Sequence, residues 1–133
     1  LHRLRLPPGE ADLQPARHWP EPDSHEPVAH HRGPVMVQVE YRIRAADREA
    51  FLHAMRPLAR ARRRDGAHAW GLVEDTQDPE RLVEWFLVES WAEHLRQHQR
   101  VSRADADVQA AAVRLHAGDQ PPRVSHLLTV LPP

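Results

Sequence analysis

The chemistry that the sequence suggests most directly is metal binding by a pair of histidines. His94 and His98 are spaced four residues apart in "ESWAEHLRQHQR", a stretch that predicts a helix. This spacing brings two imidazoles to one helical face, where they can share an ion. A zinc site needs three or four ligands, however, and "HLRQH" lacks the glutamate of the H-E-x-x-H motif. Because no third ligand stands at a matching spacing, we predict no metal site.

Composition excludes several other kinds of site. The chain has no cysteine, which removes disulfides, thiolate zinc sites and cysteine nucleophiles. All 18 basic residues are arginine, which rules out a Schiff-base lysine and a Walker-type phosphate loop. The formal net charge of −1 gives no argument for a nucleic-acid partner. No run approaches the roughly 18 apolar residues of a membrane span, so we expect the chain as given to be soluble.

Proline content divides the chain near residue 33. The first part contains "HWPEPDSHEP", whose prolines cannot supply the hydrogen bonds of a helix or a sheet. We therefore interpret residues 1–33 as a proline-rich linker and residues 34–133 as a folded domain. The chain also begins without methionine, which suggests a piece of a longer protein.

The domain opens with a predicted strand and a predicted helix. "PVMVQVEYRI" alternates apolar and polar residues, which is typical of a strand. Its apolar face comprises Val35, Val37, Val39, Tyr41 and Ile43. "AADREAFLHAMRPLARARRRDG" has helical periodicity, and we expect Asp47 to cap the helix and Gly66 to end it. Pro57 predicts a kink near the middle, because an interior proline removes a helical hydrogen bond.

The rest of the domain continues with strands, two helices and a final strand. "AHAWGLVEDTQDPERLVEWFLVESW" predicts two strands around a turn at Asp78-Pro79. Residues 91–100 predict a short helix. "SRADADVQAAAVRLHAG" predicts another helix, capped by Ser102 and ending at Gly118, and "RVSHLLTVL" predicts the last strand.

The order β-α-β-β-α-α-β is that of an α+β, ferredoxin-like split βαβ fold. In this fold one antiparallel sheet carries its helices on a single face. The other face cannot be fully polar here, because the "ERLVEWFLV" strand offers apolar side chains on both sides. An uncovered apolar sheet in a domain of this size calls for a partner. We therefore predict a homodimer, paired through the sheet face and forming a dimeric α/β barrel.

Two resemblances follow from these motifs. The element order, the strand end "VESW" and the helix "WAEHLRQH" resemble the dimeric α/β-barrel domains of the antibiotic biosynthesis monooxygenase superfamily. In that superfamily a tryptophan at a strand end is followed about seven residues later by a helix histidine, and Trp91 and His98 match this pattern. The resemblance covers roughly residues 34–131. It implies that His98 faces the cleft between sheet and helices, whereas His94 faces solvent or the dimer surface.

The second resemblance covers nearly the whole chain. "DLQPARHWPEP", "RGPVMVQVEYRI", "RRRDGAHAWGLVED" and "HLRQHQRVSRADADVQ" are similar to the C-terminal extension of certain bacterial major facilitator transporters, the enterobactin-exporter-like, transmembrane secretion effector group. This resemblance implies that residues 1–33 follow a membrane segment absent from this chain. It also implies a location at the cytoplasmic face of the bacterial inner membrane, with the transporter's membrane domain as a partner.

The predicted ligand-binding cleft lies between the sheet and the helices. Its candidate lining residues are Tyr41, Trp70, Trp85, Trp91, His98 and His126. A small apolar or aromatic compound is the ligand that such a lining favours. We predict a domain that acts in dimerisation, regulation or small-ligand binding, with no cofactor. The alternative is a cofactor-independent monooxygenase acting on an aromatic or quinol compound, with His98 and Tyr41 as candidate catalytic residues.

The sequence gives little support to haem binding or nucleic-acid binding. Some members of the superfamily bind haem through a helix histidine beside an asparagine, but this chain has no asparagine, and Tyr41 stands in place of that residue. Arg60 and residues 62–64 lie at a helix end, where the dipole alone favours them. No aromatic residues alternate with these arginines, so they do not predict single-strand nucleic-acid binding, although an anionic lipid surface stays open.

Overall fold

The computed structural model describes residues 27–100 and 103–133, in which helices cover one face of a four-stranded antiparallel sheet. The elements are β1 (Val35–Arg42), α1 (Arg48–Arg64), β2 (Ala69–Asp75), β3 (Asp78–Val88), α2 (Trp91–Arg100), α3 (Arg103–Val113) and β4 (Arg123–Leu128). The strand order is β2-β3-β1-β4. This confirms the ferredoxin-like split βαβ fold. The sheet of the single chain is open and does not close into a barrel.

Strand β1 organises the core because it lies between two other strands. It pairs with β3 on one side and β4 on the other, so its backbone hydrogen bonds are satisfied along both edges. Its alternate side chains Val35, Val37, Val39 and Tyr41 are buried beneath the helices. The inward face predicted for this strand is therefore confirmed.

Helix α1 contributes a buried stripe that packs on this face of the sheet. Phe51, Met55 and Leu58 are buried at helical spacing, and the helix continues through Pro57. Asp47 stands at the predicted N-cap position, but its side chain makes no capping hydrogen bond. It is the last residue of a 3₁₀ turn, Ala45–Asp47, and so lies outside the extended conformation in which a side chain caps a helix. Gly66 ends the helical segment with a positive φ of 122°.

The turn between β2 and β3 lies two residues earlier than predicted. Thr76 and Gln77 form it, and the Asp75 carboxylate accepts a hydrogen bond from the Gln77 N–H at 2.8 Å. Asp78 and Pro79 are instead the first two residues of β3. A proline is tolerated there because it lies at the start of the strand, next to the turn. The prediction of a turn at Asp78-Pro79 is wrong because the aspartate before it supplies the turn.

The segment after α3 is fixed by one histidine. Helix α3 ends at Val113, so the predicted end at Gly118 is wrong. His116 accepts a hydrogen bond from the backbone N–H of Arg42 at 2.9 Å, and its other ring nitrogen lies 2.8 Å from the Gln120 carbonyl. These two bonds hold the chain against the end of β1 in a non-helical path. Ser102, the predicted cap of α3, and most of the predicted linker lie outside the described residues.

Within the two described ranges, no helix combines the length and the apolar character needed to cross a bilayer.

Candidate functional site

A buried carboxylate lies at the centre of the interface between sheet and helices. Glu84 stands on β3 between the inward-facing Leu82 and Phe86, and its side chain is fully buried. Opposite it, Arg62 lies on the inward face of α1 and is 6% exposed. The guanidinium meets the carboxylate in a two-point contact, Nε to Oε2 at 2.9 Å and Nη2 to Oε1 at 3.1 Å. This is the strong bidentate geometry of an arginine–carboxylate pair.

Three further polar groups complete this network, which we call the carboxylate centre (Tyr41, Arg62, Trp70, Glu84 and Gln109). The Tyr41 hydroxyl donates to Glu84 Oε1 at 3.2 Å, and the Trp70 indole N–H donates to Oε2 at 2.9 Å. Arg62 Nη1 donates to the Gln109 side-chain oxygen at 3.2 Å. The carboxylate thus accepts four hydrogen bonds, which offsets the cost of burying it.

The protonation states follow from this arrangement. Burial and the neighbouring charge of Glu84 raise the pKa of Tyr41 well above its ordinary value. Burial alone would lower the pKa of Arg62, but the charge and hydrogen bonds of Glu84 outweigh it and raise that pKa. Tyr41 is therefore a neutral hydrogen-bond donor at physiological pH. That state does not suit a proton acceptor.

A second cluster lies farther along the same face, formed by Trp91, His94 and His126; we call it the histidine cluster. The His94 and His126 ring centroids are 4.8 Å apart, and Trp91 lies 5.5 Å from His94 and 6.4 Å from His126. His94 is fully buried. The expectation that it faces solvent or a dimer surface is wrong. Ser90 caps α2 by accepting a hydrogen bond from the Glu93 N–H at 3.1 Å. The helix therefore begins at Trp91 and places Trp91 and His94 on the side that packs against the sheet.

The predicted cleft residues fall into separate groups. Tyr41 and Trp70 belong to the carboxylate centre, whereas Trp91 and His126 belong to the histidine cluster. The His126 position pairs with Val37, four residues from Tyr41 along β1. At about 3.3 Å per residue this separation is about 13 Å, too far for the two side chains to act on one proton.

Trp85 does not line this cleft. Its neighbours Glu84 and Phe86 are buried beneath the helices, so alternation along β3 turns Trp85 to the opposite face. There its indole lies directly over Gly71, where an added Cβ would collide with the ring. Its placement among the cleft residues is wrong for this reason. The His98 side chain lies outside the described residues, so its predicted role stays a prediction.

Sequence reasoning missed the two charged members of the carboxylate centre. The sequence indicates both residues. Glu84 is an acid at an inward position of an alternating strand. Arg62 extends the buried helical stripe of Met55 and Leu58 at the next matching position, although its place among the arginines at the helix end suggests only an interaction with the helix dipole. Two opposite charges at inward positions of facing elements indicate a buried ion pair. In the described part of the chain, no three histidine, aspartate or glutamate side chains gather as metal ligands.

The helix-free face of the sheet has an apolar end and a charged end. Half-buried Met36, Trp85 and Leu87 share the apolar end with Leu127, which is 46% exposed. Val73 on β2 is 49% exposed on the same face, but it lies level with Val83 and Glu40, nearer the charged end. At the other end, Glu40 binds Arg81 at 3.0 Å and Arg42 binds Asp78 at 2.6 Å. The charges at that end neutralise one another, whereas no residue in the described ranges covers the apolar end.

Comparison with known proteins gives a family and a set of similar folds. The family model described as "Transmembrane secretion effector" matches residues 1–132. No curated protein is significantly similar to the sequence.

Among solved structures, a Caulobacter crescentus protein named for antibiotic biosynthesis monooxygenases has a TM-score of 0.63 at 16% identity, covering 77% of this chain and 94% of its own. Rv0793 from Mycobacterium tuberculosis has a TM-score of 0.60 at 21% identity, covering 75% of this chain and 98% of its own. A Nitrosomonas europaea structure named for the same monooxygenases has a TM-score of 0.59 at 14% identity, covering 80% and 98%. At these identities the likeness establishes the fold alone.

Proposed function

The chain belongs to the transmembrane secretion effector family, and from this premise we propose that it is an assembly domain of a membrane exporter. In this role two copies pair through their helix-free sheet faces at the cytoplasmic side of the membrane. The pairing brings two transporter chains together, so that a change in dimerisation regulates the exporter.

The observation that carries this proposal is the uncovered apolar end of the sheet. Leu127 is nearly half exposed, although it lies on a strand of the sheet. Met36 pairs with it across the sheet, and Leu87 pairs with Met36; both are only half-buried, as is the nearby Trp85. Apolar side chains grouped on one face are the usual mark of a protein interface. A second copy supplies a surface of the same shape and chemistry, as a two-fold symmetric dimer requires.

The carboxylate centre supports assembly over catalysis. A cofactor-independent monooxygenase needs a group that accepts a proton from its substrate beside a cavity of suitable shape. The Tyr41 hydroxyl is 1% exposed and already donates to Glu84, and its raised pKa keeps it protonated. Its contacts are those of a side chain that stabilises the fold. We therefore place the monooxygenase alternative second.

Sedimentation equilibrium on the 133-residue chain tests the proposal. We expect a dimer at micromolar concentration. Leu127→Glu should raise the dimer dissociation constant about tenfold or more, because it places an unpaired charge in the paired face. Ala50→Glu is the matched control: Ala50 is an exposed apolar residue of α1, in the layer that the interface does not use.

Two outcomes would overturn the proposal. One is a monomer that persists at the highest soluble concentration. The other is an equal loss of dimer in Leu127→Glu and Ala50→Glu, since pairing through the helix-free face predicts that only the first is affected.

A further inference from the structure

A groove with a basic rim runs between α1 and β2, on the helical side of the sheet. Its volume is about 460 Å³, within the range of small-molecule sites. We call it the arginine groove; it is lined by Leu52, Met55, Arg56, Ala59, Arg60, Arg63, Trp70 and Leu72. The groove lies on the opposite side of the sheet from the face proposed for pairing, so dimerisation would leave it open.

The floor of the groove is apolar and held in place. Met55 is buried, and Leu52 and Leu72 are half-buried against the core. Trp70 directs its indole N–H to the buried Glu84 at 2.9 Å. That hydrogen bond fixes the orientation of the ring, so the groove presents an aromatic surface whose position is set before any ligand arrives.

The rim carries three arginines at i, i+4 and i+7 along α1. Arg56, Arg60 and Arg63 are all exposed and line the same groove. Among the described residues, none of the three has a carboxylate within ion-pair distance. Their neighbours on other faces of the helix differ: Arg62 binds Glu84 at 2.9 Å, and Arg64 binds Asp105 at 2.5 Å.

Contrary to the expectation from the sequence for Arg60, the helix dipole does not account for this row of charges. The negative end of a helix favours cations only within its last turn, which here holds Arg63 but neither Arg56 nor Arg60. Three like charges along one side also repel one another, with a cost that an anionic ligand would remove. Position and charge together therefore point to an anion above an apolar floor.

We propose that the arginine groove binds a small amphipathic organic anion, with an aromatic or alkyl body on Trp70 and Leu72 and a carboxylate or sulfonate group at Arg56 and Arg60. A guanidinium matches two oxygens of such a group in a planar, two-point contact. The apolar floor lies between α1 and β2, where it offers contact area to the body of a free compound that a lipid headgroup would not use. This site goes beyond the assembly role and does not depend on it.

Isothermal titration calorimetry with two probes of one shape tests the proposal. Naphthalene-2-carboxylate carries the required charge, and naphthalene-2-carboxamide lacks it. We expect the carboxylate to bind about tenfold or more tightly than the carboxamide, which is the effect of one charge-assisted hydrogen bond. The double variant Arg56→Gln/Arg60→Gln should remove this preference. Arg44→Gln/Arg114→Gln is the matched control, with the same change in net charge at exposed residues outside the groove, and should bind as the original chain does.

Several results would overturn the proposal: no binding of the carboxylate, equal binding of both probes, or equal weakening in both double variants. Flotation with vesicles of phosphatidylglycerol distinguishes the lipid alternative. If the chain floats in a manner that requires Arg56 and Arg60 yet does not bind the carboxylate, the groove faces a membrane and the proposal is wrong. Binding should survive in Leu127→Glu, so failure of the groove and failure of the assembly role are separate results.

Discussion

Glu84→Gln should destabilise the fold far more than the small change in side-chain size suggests. Glu84→Gln keeps the shape of the side chain but removes the negative charge that faces Arg62 at 2.9 Å. Both side chains are buried, at 7% and 0% exposure, so water cannot replace the lost partner. An uncompensated buried charge costs about 3–5 kcal/mol. The free energy of unfolding of a small domain is only about 5–15 kcal/mol, so the loss is a large part of the total.

A double-mutant cycle separates the ion pair from the other contacts of this site. Arg62→Met alone should also cost about 3–5 kcal/mol, since it leaves the Glu84 carboxylate buried without its cation. In Arg62→Met/Glu84→Gln both charges are gone, and the amide oxygen can still accept from Trp70 or Tyr41. The double variant should therefore lose less than the sum of the single losses, with a coupling of about 3 kcal/mol.

Urea unfolding followed by tryptophan fluorescence and circular dichroism measures these losses. Glu74→Gln is the matched control, because Glu74 pairs with Arg48 at 2.6 Å but the two side chains are 44% and 40% exposed. That variant should cost less than about 1 kcal/mol. A loss below about 1 kcal/mol in Glu84→Gln, or additive losses in the cycle, would refute the reasoning.

Two other predictions concern single contacts. Tyr41, the one tyrosine of the chain, should not ionise in the folded state near pH 10, because burial and Glu84 raise its pKa. The tyrosine of the unfolded chain does ionise near pH 10, so the free energy of unfolding should be unaffected below pH 10 and fall above it by up to about 1.4 kcal/mol per pH unit. Absorbance at 295 nm against pH measures tyrosinate formation. Tyrosinate that forms at a lower pH than unfolding would contradict this prediction. Gly71→Ala should cost about 1–3 kcal/mol, because the new methyl group meets the Trp85 ring. Urea unfolding should show that the same change costs little in a Trp85→Ala background, and an equal cost in both backgrounds would contradict the contact.

The order of elements and the faces of the strands were predictable because they depend on local periodicity. The alternation in β1 assigns Val35, Val37, Val39 and Tyr41 to one face, and the structure buries these four residues. The outward position of Trp85 follows from the same rule, once Glu84 is accepted as an inward residue. The error came from grouping aromatic residues by type without first assigning their face.

The histidines of α2 and the turn after β2 could not be placed in the same way. Helical spacing puts Trp91, His94 and His98 near one another, but the face that meets the sheet depends on where the helix begins. Ser90 sets that start by capping the Glu93 N–H, and so turns His94 inward. The turn depends similarly on a competition between two aspartates, in which Asp75 binds the Gln77 N–H and Asp78 binds Arg42.

The pairing of two chains through the helix-free sheet face is tested most directly by distances between spin labels. The chain has no cysteine, so Glu40→Cys and Ala50→Cys each give a single labelled position. Glu40 lies on the central strand β1 and faces away from the helices, whereas Ala50 lies on α1. Packed sheets are about 10 Å apart, and each helical layer adds roughly 10 Å more. Pulsed electron paramagnetic resonance should therefore give a label separation across the dimer below about 25 Å for Glu40→Cys and beyond about 30 Å for Ala50→Cys. A distance for Ala50→Cys that is shorter than the distance for Glu40→Cys, or no dipolar signal from either variant, would contradict assembly through this face.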